Sequence, residues 1–282
     1  MGNIVNTNTA ATASKNALAL NQRSLDKTMS QLSTGQRINS AADDAAGLAI
    51  VSKMTTQIRS LHQAVRNAND GISMLQTADA ATNQMTQMLF RMRELALVSA
   101  NGTNDNDGKD ALQLEFSGLQ SQISNIINNT SWNGMNLLAG GLADPNGDVY
   151  FQIGAGSSES ISLPLTALNN EVDVSNALAN TLLIGSEVTA DPGNAISLID
   201  LAIIKIDNNR SSWGATINRL THAADNSANV SLNSAVSRSR IMDTDYAQAT
   251  AEMARAMILE QAGSAMLSQA NQQPTYILAL LR

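Results

Sequence analysis

Cysteine is absent from the chain, which excludes a disulfide framework, a thiolate metal site and a cysteine nucleophile. Aromatic residues make up only 3% of the 282 residues, although 43% are hydrophobic. Ala, Leu, Ile and Met supply most of the apolar surface, a mixture suited to helices packed side by side. No run of about 18 apolar residues occurs, so no membrane insertion is expected. The opening "MGNIVNTNTAATASK" lacks the basic leader and apolar run of a cleaved secretory signal. A protein of this kind that leaves the cell needs a dedicated export machine.

Positive charge is missing from one long stretch. Between Asp110 and Lys205 there is no Lys or Arg but there are nine acidic residues, which accounts for the net charge of −7 and leaves 17 basic against 15 acidic residues elsewhere. No basic nucleic-acid footprint is present, and the pattern reads as a solvated centre between packed ends.

What the chain does contain is heptad spacing. Ile4, Ala11, Leu18, Leu25 and Leu32 recur every seven residues, placing one narrow stripe on one helix face. Gly35 stands where a helix commonly stops. Asn39 or Ser40 is positioned to cap the next helix, with Asp43 and Asp44 in its first turn. Gly35, Arg37, Asp43 and Asp44 thus mark a connector at about residues 34–46. Met54, Ile58, Leu61, Val65, Ala68, Ile72 and Leu75 then alternate spacings of four and three, and the pattern weakens toward Val98. A helix running unbroken to Ala100 would be about 80 Å long, the length of a coiled-coil element.

"NGTNDNDG", residues 101–108, reverses the chain before a second helix with Leu112, Phe116, Leu119, Ile123 and Ile126 on one face. "DVYFQIG" and "ESISLPL" flank the turn "AGSS" and predict a β-hairpin near Asp148 to Leu163, in a variable region at about 139–193. Helical spacing returns at Ile196, Ile199, Ile203 and Ile206, continues through Trp213 and Leu220, and weakens toward Ser234. The last segment carries Met242, Ala249, Ala256, Gly263, Ala270 and Ile277 at intervals of seven, flanked by Tyr246, Met253 and Leu267.

The order is mirror-like, and the predicted fold is mainly α: an antiparallel long-helix coiled-coil rod with a small hairpin region. Residues 1–45 and 239–282 would form an inner terminal-helix domain and residues 46–238 a rod domain. The terminal stripes are too narrow to bury much as an isolated pair, so Ile4, Ala11, Leu18, Leu25, Leu32, Met253, Leu267, Ile277, Leu278, Leu280 and Leu281 are read as packing residues that await other copies of the chain. The apolar "YILALL" at the end supports assembly or capture by a chaperone's groove.

Motifs that resemble chemistry have simpler readings. Adjacent Asp43 and Asp44 point about 100° apart on a helix and lack a His or third carboxylate, so capping outweighs acid/base work. His62 and His222, one on each long helix, could face each other across the pairing and sense pH, but make a poor zinc site. "QIGAGSSES" has no following Lys and sits in a hairpin, which favours a tight turn over a phosphate loop. No enzyme activity, cofactor or metal is expected. Arg91, Arg93, Glu94 and Leu95, at the end of a long helix, form either a solvated face or a contact for another subunit or a receptor.

Taken together, "QLSTGQRINSAADDAAGLAI", "NANDGISMLQTADAA", "RMRELALVSANGTN", "TSWNGMNLL" and "SRIMDTDYAQATAEMARAMILEQAGSAMLSQANQQPTYILALLR" resemble the bacterial flagellins, in that family's order and ending on its Leu-Leu-Arg. Gln36 departs from a frequently apolar position, and the short middle implies that large outer domains are missing. The resemblance implies a secreted structural subunit of the extracellular flagellar filament. The hook-filament junction protein of the same superfamily is the alternative. It further implies a type III-like export route, an export chaperone on the C-terminal segment, a filament cap and hook-junction proteins as partners. Some flagellins are detected by an innate immune Toll-like receptor through the motif matched by Arg91, Arg93, Glu94 and Leu95. Phe90 and Gln122 depart from the polar and acidic residues of strongly recognised members, which weakens that expectation.

Overall fold

The computed structural model describes residues 7–140, 148–165, 167–168, 171–187 and 189–280, with backbone alone at 164 and 273–280. Its helices are α1 (Thr9–Thr34), α2 (Ala45–Ser99), α3 (Asn106–Asn129), α4 (Val172–Ala177), α5 (Pro192–Met242) and α6 (Tyr246–Leu280). Between α3 and α4 lie β1 (Ser131–Trp132), β2 (Met135–Asn136), β3 (Asp148–Gln152) and β4 (Ser160–Pro164). The mainly helical architecture with small antiparallel strand pairs matches the sequence expectation. Among the described residues no helix is long and apolar enough to cross a membrane.

One local device starts every long helix. An Asn or Asp side chain accepts the backbone N–H three residues further on: Asn8 from Ala11 at 2.9 Å, Asp44 from Gly47 at 2.8 Å, Asp105 from Gly108 at 2.9 Å, Asp191 from Asn194 at 3.1 Å and Asp245 from Gln248 at 3.2 Å. Each satisfies one of the amides that a first turn leaves without an intrahelical partner. Pro192 adds a residue with preset φ at the first position of α5. The expected cap of α2 at Asn39 or Ser40 is corrected here: Asp44 is the cap, and Asn39 and Ser40 belong to the turn before it.

The chain divides into two compact units, Met1–Ile58 with Leu232–Arg282, and Arg59–Ser231. In the second unit α2 contributes Leu61, Ala64, Ala68, Leu75, Ala78, Met85, Leu89 and Met92, all buried and spaced by threes, fours and sevens. That spacing keeps them on one face. Across from them α5 presents Ile199, Ala202, Ile206, Trp213 and Leu220, and α3 presents Phe116, Ile123 and Ile127. Ion pairs give the directions. Arg93 of α2 reaches Asp200 of α5 at 2.7 Å, Arg210 of α5 reaches Asp79 of α2 at 2.8 Å, and Arg91 reaches Glu115 of α3 at 2.8 Å. The two pairs with α5 set it antiparallel to α2, and the Arg91–Glu115 pair together with the short turn between Ser99 and Asn106 sets α3 antiparallel as well. The core is a three-helix core.

The hairpin falls where alternation predicted it, with Val149 opposite Leu163 and Phe151 opposite Ile161. Phe151, Ile161 and Leu163 face inward while Tyr150 faces solvent. Phe151 packs directly on Gly71 of α2; a Cβ there would lie 2.8 Å from two ring carbons. A second, tighter pair, β1–β2, turns through Asn133 and Gly134, both with positive φ of 48° and 79°. This is the Asn-Gly two-residue turn. The remaining loop is pinned by α3. Gln113 Oε1 accepts the amides of Ile184 at 2.6 Å and Gly185 at 3.1 Å, and Gln120 Nε2 donates to the carbonyls of Ala177 and Ala179 at 3.2 Å. Backbone groups without strand partners are thereby satisfied by side chains.

Phe116 is fully buried whereas its neighbour Leu114 is exposed. Phe116→Ala is expected to destabilise the chain by about 3–5 kcal/mol in urea titration, and Leu114→Ala by no more than about 0.5 kcal/mol.

Candidate functional site

The first unit is built from α1, α6, the beginning of α2, the end of α5 and the connector. In α1, Ala11, Leu18, Leu25 and Leu32 lie on one stripe with Asn21 and Thr28; only Leu25 and Thr28 are buried. In α6, Ala249, Ala256 and Ala270 are buried and Met253, Gly263 and Leu267 are half-buried. The two stripes meet. Asn8 Nδ2 donates to the Ala270 carbonyl and Asn21 Nδ2 to the Ala256 carbonyl, both at 2.7 Å, and Tyr246 Oη donates to the Leu32 carbonyl at 3.2 Å. Leu18 lies against Gly263, where an added Cβ would be 3.3 Å from its Cδ1. Pairings 8 with 270, 21 with 256 and 32 with 246 define an antiparallel two-helix seam, pinned by polar groups as coiled-coil seams are.

Ala11, Leu18, Leu25, Leu32, Met253 and Leu267 face the chain's own second helix, because a two-helix seam uses the a and d positions of both partners. Ile4 and Leu281 lie outside the described residues, as do the side chains of Ile277, Leu278 and Leu280. What the pair leaves open is a different set: Leu20 at 61% exposure, Met29 at 51%, Met257 at 42%, Ile258 at 66%, Leu259 at 52% and Met266 at 59%. Three of these are consecutive. Neighbours along a helix point about 100° apart, so no single seam can cover Met257, Ile258 and Leu259 together.

The connector explains the residue types around Gly35. Gly35 takes φ 70° as the left-handed cap of α1, its N–H bonded to the Gln31 carbonyl at 2.9 Å. The chain then runs beside the segment between α5 and α6. Thr244 N donates to the Gly35 carbonyl at 3.0 Å, Arg37 N to the Met242 carbonyl at 2.6 Å, and Gln36 bridges Asp243 in antiparallel fashion. The Arg37 guanidinium donates to the Ile241 carbonyl at 2.5 Å. A cation there meets carbonyls that the last turn of α5 leaves open and the negative end of its dipole. Gln31, Arg37 and Lys27 from one side, with Asp243, Arg240 and Glu252 from the other, line a cleft of mixed charge.

The paired aspartates are backbone acceptors with separate tasks. Asp44 caps α2. Asp43 Oδ2 accepts the amides of Ser40 at 3.0 Å and Asn39 at 3.2 Å and the Ser40 hydroxyl at 3.1 Å, while Oδ1 lies 3.2 Å from Lys27 Nζ. The hydrogen bond from the Ser40 amide, then that from Lys27, hold the Asp43 carboxyl below the usual carboxylate range. Below this turn Ile38 is buried and Gly47 admits it closely, since a Cβ at Gly47 would lie 2.8 Å from Ile38 Cδ1 and 2.4 Å from Asp44 Oδ2.

In the second unit the Arg-rich motif separates. Arg91 is shared between Glu115 at 2.8 Å and Glu94 at 3.3 Å, and Arg93 grips Asp200 with two hydrogen bonds at 2.7 and 3.3 Å. Such solvated pairs orient helices more than they stabilise them. Leu95 is only 2% exposed and belongs to the core. Arg91, Arg93 and Glu94 stay at the surface, while Leu95 is withdrawn into the core of the second unit. His62 lies opposite Ser231, Nε2 to Oγ 3.4 Å, rather than opposite His222.

Residues 5–142 match the bacterial flagellin N-terminal helical region, and residues 196–281 match the bacterial flagellin C-terminal helical region. A flagellin of Halalkalibacterium halodurans is 43% identical over 281 residues, covering 99% of this chain and 100% of that one. The chain belongs to the bacterial flagellin family. Flagellin E of Vibrio cholerae is 34% identical over 381 aligned positions with 100% of both chains covered, more positions than this flagellin has residues. The crystal structure of a Bacillus cereus flagellin, 31% identical, covers 57% of this chain and 88% of its own with a TM-score of 0.49.

Heptad reading alone missed the exposed apolar residues of this flagellin, because it selects residues that fit one stripe and discards those that do not. For the connector, a folded carboxyl value below the unfolded one contributes stability above the unfolded value and loses it as pH falls through the folded value. Amide exchange at Asn39 and Ser40, corrected for intrinsic rate and read by NMR, is therefore expected to accelerate across that acid interval. In Asp43→Asn the same amides are expected to show no such transition.

Proposed function

We propose that this flagellin is the structural subunit that stacks helically, copy upon copy, into the flagellar filament that drives swimming. The observation carrying this reading is the α1–α6 pair, whose own seam buries Leu25, Thr28, Ala249, Ala256 and Ala270 while Leu20, Met29, Met257, Ile258, Leu259 and Met266 stay in water. An apolar set of this kind on a two-helix element marks a contact with another molecule. Contacts between unlike faces of identical chains that do not close into a ring generate an open helical polymer. Residues Ile277, Leu278, Leu280 and Leu281 would add to the same surface.

In this reading residues 1–45 and 239–282 form the inner terminal-helix domain and residues 46–238 the rod domain, joined by the connector at Gly35, Arg37, Asp43 and Asp44. Arg91, Arg93 and Glu94 serve a neighbouring copy or a receptor of the Toll-like class. The family resemblance supplies the remaining partners: an export chaperone, a cap at the growing tip and the hook-junction proteins. It also supplies secretion through a dedicated channel to an extracellular site.

Free subunits are expected to exchange amide hydrogens rapidly along α1 and α6, and polymer to protect them, in hydrogen-exchange mass spectrometry. Terminal protection in free subunits equal to that in polymer overturns the reading. Ile258→Asp is expected to reduce polymer yield by about tenfold, a charge on a surface that assembly must desolvate, while leaving the urea midpoint of the second unit in place. Gly35→Val forces a β-branched residue into left-handed backbone at about 1–2 kcal/mol. Filament length in electron micrographs is expected to fall more than the amount of exported chain.

A further inference from the structure

The described methionines range from buried to exposed, with Met54, Met88, Met242 and Met253 half-buried and Met135 of β2 exposed at 37%. Met74, Met85 and Met92 on α2 are buried in the second unit, at most 3% exposed. Met29 on α1 and Met257 and Met266 on α6 are exposed, with Met257 beside Ile258 and Leu259. No cysteine competes for oxidant. With the thiol rung absent, the thioether is the side chain that two-electron oxidants attack first.

We infer that Met29, Met257 and Met266 form a peroxide-sensitive modification site that decides whether an unassembled subunit can polymerise. The inference rests on the packing surface proposed above. In the step, a thioether lone pair attacks one oxygen of hydrogen peroxide or an organic hydroperoxide and the O–O bond breaks. The sulfur keeps that oxygen as a sulfoxide, and the departing oxygen takes the proton to leave as water or an alcohol. Sulfur loses two electrons and the peroxide gains them. An apolar, flexible side chain becomes a strong hydrogen-bond acceptor. In the free subunit the new S=O is solvated and costs little. On assembly it must give up water against the apolar packing surface, and a sulfoxide oxygen that loses water there without gaining a donor opposes polymerisation.

The site works in one direction. Once a copy has covered these sulfurs, peroxide cannot reach them, so assembled subunits are shielded and only subunits still in solution are inactivated. Sulfoxide is reversible by methionine sulfoxide reductase with a thiol reductant, whereas backbone or aromatic damage is not.

The test treats full-length subunits and preformed polymer with hydrogen peroxide and reads the gain of one oxygen per methionine by peptide mass spectrometry. In free subunits Met29, Met257 and Met266 are expected to oxidise at least about tenfold faster than Met74, Met85 and Met92, and in polymer to slow by about tenfold. Oxidised subunits are expected to lose polymerisation, and reductase treatment to restore it. The triple variant Met29→Leu, Met257→Leu, Met266→Leu is expected to keep its own untreated polymer yield after peroxide. The inference is overturned by equal oxidation of the three sulfurs in subunit and polymer, by undiminished polymerisation of oxidised subunits, or by failure of the reductase to restore it. Absence of polymer from untreated subunits overturns the filament reading as well; any of the other outcomes removes this inference alone.

Discussion

A pair of helices can bury only the side chains that face its seam, and the α1–α6 pair fills that seam with Ala, Thr, Gly, one buried leucine, Leu25, and a few half-covered Leu and Met residues. Small residues allow close approach, and the Asn8 and Asn21 amides reach the opposite backbone at 2.7 Å. Close approach, however, means little apolar area removed from water, and burial scales with that area. Long side chains such as Leu20, Ile258 and Met266 are left on the outside. A sequence optimised to stand alone would reverse this arrangement, with large residues in the seam and polar ones outside. The order found here makes sense for an element that is finished by its neighbours.

The second unit shows the same spacing leading to a different result. Its α2 also runs in threes and fours, yet α3 and α5 both pack on it and the hairpin covers Gly71 through Phe151. Three helices enclose a volume that two cannot, so Phe116, Met85, Leu89 and Met92 are sealed from solvent. Leu95 is drawn in with them, which removes an apolar residue from the Arg-rich motif and leaves its charges as the exposed part. Periodicity therefore states which residues share a face. It does not state how many partners that face receives.

Much of the architecture was legible on this basis. The heptads of α1 and α6, the long α2 and α5, the reversal after Ala100 and the hairpin at 148–163 follow from apolar spacing and turn residues. Less legible was anything set by a single hydrogen bond. Asp44 rather than Asn39 or Ser40 caps α2, because the choice among capping residues within one short segment depends on where the preceding turn closes, and Asp43 closes it on Ser40. The β1–β2 pair is two residues per strand, too short for alternation to register. α4 is a single short stretch held by the Gln120 side chain from α3, a long-range contact with no local signature. In the connector, the sequence marks Arg37 as a charge at a helix break. Its reason, the open carbonyls of a helix end more than two hundred residues further along the chain, exists only in three dimensions.

That connector also fixes the sequence order of the unit. Arg37 and Gly35 bond to residues 241–244, so the exit from α1 and the entry to α6 are held side by side by backbone hydrogen bonds rather than by apolar contact. Backbone bonds are directional and survive where little area is buried. A terminal pair whose seam contributes weakly can thus be kept in antiparallel register from one end, with Tyr246 bonded to the Leu32 carbonyl as the first rung. The rest of the pair then needs no strong seam to find its alignment. Its outward face is free to carry the apolar residues that a self-sufficient helix pair would have to conceal.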